Sequence, residues 1–427
     1  MGTPDFSGML RYRWWIFITL GLAYFLVYFH RLSLSVVADD LVRDFRTTAA
    51  VIGLMGSVYF YCYAVMQLPA GLLADSIGPR KTVTVFLVIA ATGSFLFGLA
   101  PTIEIAFVGR VLVGFGVSMV FIPTMKILSR WYRPNEFASM AGIFNAVGGI
   151  GVLAGTWLLG LAATKMGWRL SFELIAACTL FIVALAWLVV RDRPQDRGWP
   201  DIDEIEAKAA PPAAPIPLLT GMRQVLTTRH FWPVAIWFFF DCGIFFGFGG
   251  LWGGPYLMQV YDMTRTEAGA VLSMIAWGMI IGSPLMGLLS DRLLKSRKKP
   301  FIICAFLLSA ELLFLYLHPA GLSRPALYAV FFTLSVLASA IVIVGFTTTK
   351  ELFPVSIAGT SVGAVNLFPF LGGAVYMPLL GRVLDHYPAA RAGIYTTEGY
   401  TMLLLILFLS ALGALGCTLL MKETFSG

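Results

Sequence analysis

Uncharged apolar runs of about 20 residues recur along the chain, and they restrict what it can fold into more than any other feature. The stretch 402–421 holds no charged residue, and 14–37 is broken only late, by His30 and Arg31. Roughly 20 apolar residues carry a helix across the hydrocarbon core of a bilayer. Backbone polar groups there are satisfied only within helices or closed barrels. Barrel strands alternate every second residue, and these runs do not. Charged residues make up 12% of the 427 residues, too few to cover a water-facing surface, where about a quarter is usual. The expectation is an all-α membrane protein of about twelve transmembrane helices.

The spans are placed at 14–36, 50–74, 82–100, 104–128, 138–163, 170–190, 231–257, 267–289, 300–317, 326–348, 357–380 and 399–421. Arg11 and Arg13 precede a long first run, which reads as a first span rather than a cleaved signal. The longest polar stretch, 191–229, carries Pro194, Gly198, Pro200 and the Ala/Pro run 209–217. It reads as a cytoplasmic linker between a six-helix bundle at 1–190 and a second at 230–427. Lys and Arg outside the spans concentrate in the loops that share a side with the N-terminus, which places both termini in the cytoplasm. The positive net charge therefore signals membrane orientation and no nucleic-acid partner. Cys62, Cys178, Cys242, Cys304 and Cys417 all lie in apolar runs without metal-ligand spacing. They read as buried small hydrophobes, and no metal site is expected.

A motif repeats at about half the length of the chain. Gly71-Leu72-Leu73-Ala74-Asp75 ends the second span and is followed by Gly78, Pro79, Arg80 and Lys81; Gly287-Leu288-Leu289-Ser290-Asp291 ends the eighth and is followed by Arg292, Lys295, Arg297, Lys298 and Lys299. Repeated halves place a solute site between them near the midplane. An Asp here can pair with basic residues or a helix N-terminus, a latch that biases which face is open.

On these residues the chain resembles the major facilitator superfamily. Gly71 to Lys81 matches its cytoplasmic loop signature, Gly287 to Lys299 is a degenerate second copy, and Arg110-Val111-Leu112-Val113-Gly114-Phe115-Gly116 resembles its fourth-span motif. Within that superfamily it is most similar to the organophosphate:phosphate antiporter and organic anion branch. Arg13-Trp14, Tyr24 and Arg31, Trp131 with Glu136, Arg191-Asp192-Arg193-Pro194-Gln195, and Glu351-Leu352-Phe353-Pro354 with Leu371-Gly372-Gly373 carry that likeness. The resemblance implies a phosphate site of two arginines and a histidine. Arg31 matches the first arginine, whereas Phe246 stands at the seventh-span arginine position and Gly148 at the histidine position.

Ionisable groups inside spans are costly unless paired or wet, and are functional candidates by default. Arg31 presents a planar fork suited to carboxylate or phosphate; a structural ion pair is the other reading. His30 could couple a proton or be hydrogen-bonded. Asp241, in Phe238-Phe239-Phe240-Asp241-Cys242-Gly243, could carry a proton or balance Arg31 or Lys126 across a cavity. Lys126, Asn145 and Asn366 join Arg31 as substrate-binding candidates, against snorkelling for the lysine and helix-to-helix hydrogen bonding for the asparagines. Asp75, Arg80, Lys81, Arg110 and Asp291 are the expected conformational latch. Glu311 reads as a lipid-edge or interhelical hydrogen bond, and Tyr28, Tyr59, Tyr63 and Trp131 as cavity walls or packing.

Together these residues lead to the expectation of a secondary active transporter of a small organic anion, proton-coupled and working by alternating access. It is expected in a bacterial inner membrane, or an internal membrane derived from it, as a monomer whose partners are solute and lipid. No Gly-x-x-x-x-Gly-Lys-Ser/Thr loop occurs, so neither nucleotide drive nor another cofactor is expected, and the polar groups in the spans form no nucleophile arrangement of an enzyme. Three other readings stay open. One is an organophosphate:phosphate antiporter. Another is a permease of an internal membrane involved in iron handling, since Tyr28-Phe29-His30-Arg31 loosely resembles magnetosome permeases. The third is a membrane sensor that kept a transporter fold.

Overall fold

The computed structural model describes residues 7–200, 218–388 and 393–425. Among them, twelve helices are long and apolar enough to cross a membrane: Gly8–Val36, Ala49–Gln67, Pro79–Leu99, Ile103–Trp131, Gly142–Met166, Trp168–Val189, Phe231–Val260, Arg265–Leu293, Lys298–Leu317, Arg324–Glu351, Gly359–Asp385 and Thr397–Leu420. They are called the first to twelfth spans below. The protein is thus an all-helical, multi-pass membrane protein, and every expected span finds its helix. Differences fall at the ends, because helices continue past their apolar stretch into the headgroup zone.

Large apolar side chains stand exposed along the spans, among them Trp15, Phe181 and Phe306. Lipid tails, not water, meet these surfaces. Two residues correct the expectation of five buried cysteines: Cys417 is half-buried and Cys178 is exposed. The sixth span carries it, and only 28% of that span's apolar window is enclosed by protein. The first and seventh spans are the most enclosed, at 78% and 83%, and Arg31 and Asp241 lie on these two.

The chain forms two compact units interleaved in sequence. The first comprises Met1–His30, Cys62–Gly151 and Arg169–Pro212. Its third and fourth spans touch backbone to backbone: a Cβ on Gly93 would lie 2.6 Å from the Gly109 carbonyl, and one on Gly109 2.8 Å from the Gly93 carbonyl. Small residues at a crossing supply the close packing that holds helices together in lipid, where apolar burial drives little. The start of the linker folds back onto this unit. The Trp131 indole donates to the Arg191 carbonyl at 3.0 Å, and Tyr12 packs against both Trp131 and Trp199.

The second unit comprises Arg31–Tyr61, Val152–Trp168 and Ala213–Gly427. Here the seventh span packs on the eleventh, and the Trp252 indole donates to the Met377 carbonyl at 2.9 Å. Ser57 donates to the Ala374 carbonyl at 2.6 Å. The seventh span is α-helical over Phe231–Ile244 and then widens into π-helical turns over Phe245–Trp252. That segment is Phe245-Phe246-Gly247-Phe248-Gly249-Gly250-Leu251-Trp252. Glycine weakens the regular helix, and packed rings hold the wider turn. Such turns are frequent at functional sites.

Candidate functional site

Arg31 lies near the end of the first span's α-helix, Ser7–Leu32, and is 7% exposed. Its guanidinium carbon sits 5.4 Å from the Phe370 ring centre and 5.7 Å from that of Phe246. A cation within about 6 Å of a ring face is drawn to its quadrupole. Phe60 completes the cluster, 4.8 Å from Phe246 and 6.3 Å from Phe370, centre to centre. The seventh and eleventh spans thus each bring one ring to the cation, and the second span sets Phe60 against those rings.

Residues next to each other on a helix point about a quarter-turn apart, and His30 accordingly turns away from this cluster. Its ring stands edge-on to Phe29 at 5.4 Å and lies 6.4 Å from Phe172. The His30 carbonyl accepts from the Arg110 guanidinium at 3.3 Å. It is among the last four carbonyls of the helix, which lack regular partners, so Arg110, fully buried, ties the end of the first span to the fourth. Gly148, at the position where the resemblance implies a histidine, faces Tyr28: a Cβ there would lie 2.7 Å from the Tyr28 ring.

Asp241 lies in the α-helical part of the seventh span and is 1% exposed. Its Oδ2 receives no hydrogen bond among the described residues, and no cation there forms an ion pair with it. Cys242 follows it in sequence, and Cys304 of the ninth span lies within electrostatic reach.

Lys126, expected among the substrate-binding candidates, meets Asp75 of the repeated motif instead. Its ammonium pairs with the Asp75 carboxylate and donates to the Ala74 carbonyl at 2.9 Å. Arg80 stacks its guanidinium 4.4 Å over the Trp187 ring, while its backbone amide donates to Asp192 at 2.7 Å. Lys81 is exposed. In the second copy of the motif Asp291 pairs with Arg297, which also holds Glu351 at 2.9 Å. The chain then returns: Thr424 donates to Glu351 at 2.7 Å, and Glu423 accepts from the Ser296 hydroxyl and from the Arg297 amide at 2.8 Å. Burial would raise the Glu423 carboxyl, but these hydrogen bonds outweigh it and hold it down at about 2. Asn366 is half-buried and marks the turn between helices Val355–Val365 and Leu367–Asp385. The side chain of Asn145 lies outside the described residues. Glu311 accepts from Thr333 of the tenth span at 2.9 Å, the interhelical bond expected of it.

A second polar cluster was missed by sequence reasoning. The short helix Ala38–Phe45 after the first span carries Asp39 and Asp40. Asp40 pairs with Arg265 and, at 2.8 Å, with Arg43. Asp39 accepts from the Gln259 amide at 3.0 Å, and the Gln259 carbonyl oxygen in turn accepts from the Tyr395 amide at 2.9 Å and the Tyr400 hydroxyl at 3.0 Å. Asp385 accepts from the amides of Ala49 and Ala50 at 2.8 and 2.9 Å at the start of the second span. Burial, together with the Asp40 charge and against the hydrogen bond from Gln259, raises the Asp39 carboxyl to about 6. The available signal was two adjacent acids in an otherwise short loop, which usually means a solvated turn.

Twelve spans, a repeated charged motif at their ends and charged residues buried on the most enclosed helices define the class of polytopic solute carriers. The family model of the Major Facilitator Superfamily matches residues 20–377, and the chain belongs to that family. Relatives include the membrane sensor protein UhpC of Escherichia coli, 25% identical with 94% of each chain covered. The probable galactarate/D-glucarate transporter GarP of Escherichia coli is 22% identical over 90% of this chain and 91% of its own. A probable hexose phosphate transport protein of Chlamydia trachomatis is 24% identical over 92% and 82%. These fall in the branch that the sequence resembles. Among solved structures, an inward-facing bacterial homologue of the human lysosomal transporter Spinster superposes with a TM-score of 0.80 at 18% identity, covering 98% of this chain and 97% of that one. A mutant of the nucleoside transporter NupG gives 0.74 at 15%, covering 95% and 99%.

Proposed function

We propose that the protein is a secondary transporter that moves a small organic anion together with a proton. Arg31 holds the anion and Asp241 carries the proton. The observation that carries this reading is the burial of Asp241, a carboxylate on the most enclosed span that forms no ion pair among the described residues. An unpaired charge there costs several kcal/mol, so a change of charge at this position goes with a change of surroundings. Alternating access supplies that change, with the half 1–190 rocking against 230–427 and the 191–229 linker joining them on the cytoplasmic side of a bacterial inner membrane. A ligand shifts such an equilibrium only by binding the two states differently. The Asp75–Lys126 and Asp291–Arg297–Glu351 pairs act as latches that must break and reform.

The test is uptake into proteoliposomes with imposed proton gradients, using carboxylates, organophosphates and ferric chelates. Carboxylate uptake driven by an inward proton gradient is expected, abolished by Arg31→Gln and uncoupled from pH by Asp241→Asn. Normal transport by Asp241→Asn with an unchanged pH profile would sink the proton role. Exchange with internal phosphate, indifferent to the gradient, would support the second reading, an organophosphate:phosphate antiporter, for which the probable hexose phosphate transport protein of Chlamydia trachomatis is the supporting relative; Phe246 and Gly148 speak against it. Absent flux with a stoichiometric protein partner on purification would favour a sensor like UhpC.

A further inference from the structure

We propose that the turn between the eighth and ninth spans, together with the end of the twelfth, is a docking surface for the headgroup of an anionic phospholipid. Arg292, Lys295, Lys299 and Lys422 supply the charge, and Leu293 and Leu420 meet the acyl chains beside it. This inference is independent of the solute and of the roles given to Arg31 and Asp241.

The carboxylates that meet this turn are all engaged by the protein itself. Asp291 pairs with Arg297, Glu351 with the same guanidinium at 2.9 Å, and Glu423 accepts from the Ser296 hydroxyl and the Arg297 amide. Glu423 also takes the Lys298 amide at 3.4 Å, so the start of the ninth span's helix already holds an anion. Arg292, Lys295, Lys299 and Lys422 are exposed, and none of the four forms an ion pair among the described residues. The first copy of the motif is different: Lys126 is paired with Asp75 and Arg80 lies on Trp187, which leaves Lys81 exposed.

The turn is closed at its base. The Ser290 hydroxyl donates to the Ser296 carbonyl at 3.0 Å, and the Ser296 amide donates to the Ser290 carbonyl at 3.2 Å. Lys295 adopts a left-handed φ of 43° where the chain reverses between the π-helical turn Leu289–Leu293 and helix Lys298–Leu317. Leu293, next to Arg292, is 77% exposed, and Leu420, two residues before Lys422, is 72% exposed. The hydrogen bonds of Glu423 hold the tail, and Lys422 with it, on this same turn. Exposed leucines beside exposed cations at the ends of spans suit the boundary between acyl chains and headgroups. Each Lys or Arg near an anionic leaflet contributes roughly fivefold to binding. A soluble anion would use the cations and leave both leucines in water, whereas a phospholipid uses both. A zwitterionic headgroup brings its own ammonium, which offsets its phosphate.

The test uses the purified full chain in detergent, with bound lipid counted by native mass spectrometry. The probes are dioleoylphosphatidylglycerol, dioleoylphosphatidylcholine and glycerophosphoglycerol, the first lipid's headgroup without its chains. Phosphatidylglycerol should bind about tenfold or more tighter than phosphatidylcholine, and the free headgroup should bind more weakly than the intact lipid. The triple variant Arg292→Gln, Lys295→Gln, Lys299→Gln should lose the preference between the two lipids, while Lys81→Gln keeps it. Leu293→Asn should weaken both lipids and leave their ratio unchanged. Because the substituted cations are exposed, the triple variant should melt at the wild-type temperature without added lipid; if it does not, Lys295→Gln and Lys299→Gln singly, each with roughly a fivefold loss, read the same surface. Equal binding of the two lipids by wild type overturns the proposal. A preference that survives the substitutions at this turn overturns the location. A free headgroup that binds as tightly as the intact lipid overturns the phospholipid as occupant, in favour of a soluble phosphodiester.

Discussion

Single residues carry strain and charge in this protein in ways that substitutions can read out. Gly148 has Tyr28 against it, so restoring a histidine there would overpack the crossing of the first and fifth spans. Overpacking a closed core costs about 1–3 kcal/mol; Gly148→His is expected to lower the melting temperature in detergent by several degrees, and a variant as stable as wild type would show that Tyr28 moves aside freely. Arg110 satisfies a carbonyl at the end of a helix. Arg110→Met keeps the bulk and removes the donor, with an expected loss of about 1–3 kcal/mol, measurable as faster hydrogen exchange in the amides around His30. Both effects concern packing, and neither should change the preference among carboxylates, organophosphates and ferric chelates.

At the level of elements, two short segments act as straps. The tail after the twelfth span ties itself to the second copy of the repeated motif through Glu423 and Thr424. Glu423→Gln removes the charge from a carboxylate that caps the start of the ninth span's helix, a change worth about 1 kcal/mol. Because the folded carboxyl is held at about 2, below its ordinary 4.5, the contribution is present above pH 4.5 and fades as pH falls toward 2. Thermal melts of wild type and variant should therefore differ at pH 6 and converge toward acid. The helix Ala38–Phe45 has the opposite sign. Asp39 is raised from 3.8 to about 6, with Asp40, Arg43 and Arg265 as its charged neighbours. The cost of burying the Asp39 charge is absent below pH 3.8, grows as pH rises and is complete above about 6. Hydrogen exchange in this helix, corrected for intrinsic rates, should be faster at pH 7.5 than at pH 5, and Asp39→Asn should remove the difference. Equal exchange at the two pH values would mean that Asp39 is ionised throughout.

On the scale of the whole molecule, the bias of Lys and Arg toward one set of loops predicts both termini in the cytoplasm. A green fluorescent protein fused after Gly427 should fluoresce, and alkaline phosphatase fused there should be inactive; the reverse pattern would invert the topology. The twelve spans were legible because hydrocarbon imposes length and composition on each helix separately, with no need to know its neighbours. Arg31 and Asp241 were legible for the same reason, as charges where charge is expensive. The latch motif was legible as a repeat, but its partners were not: Lys126, Asp192, Glu351 and Glu423 meet it from other helices or from the tail. Asp39 and Asp40 were passed over because loop acids are ordinarily solvated, and only the packing of helix Ala38–Phe45 against Gln259 and Arg265 encloses them.

What the sequence alone determined is what a bilayer demands of any segment: the number of spans, the helical class and the cost of each charge within them. The likeness to one superfamily followed from short motifs that survive at low overall identity. What only the tertiary structure decided is which distant side chains share a space. Phe60, Phe246 and Phe370 are ordinary apolar residues of three separate spans, and nothing local distinguishes them from the lipid-facing Phe181 or Phe306. They become one cluster, with Phe246 and Phe370 against Arg31 and Phe60 against both rings, because of helix packing that no single stretch of sequence encodes.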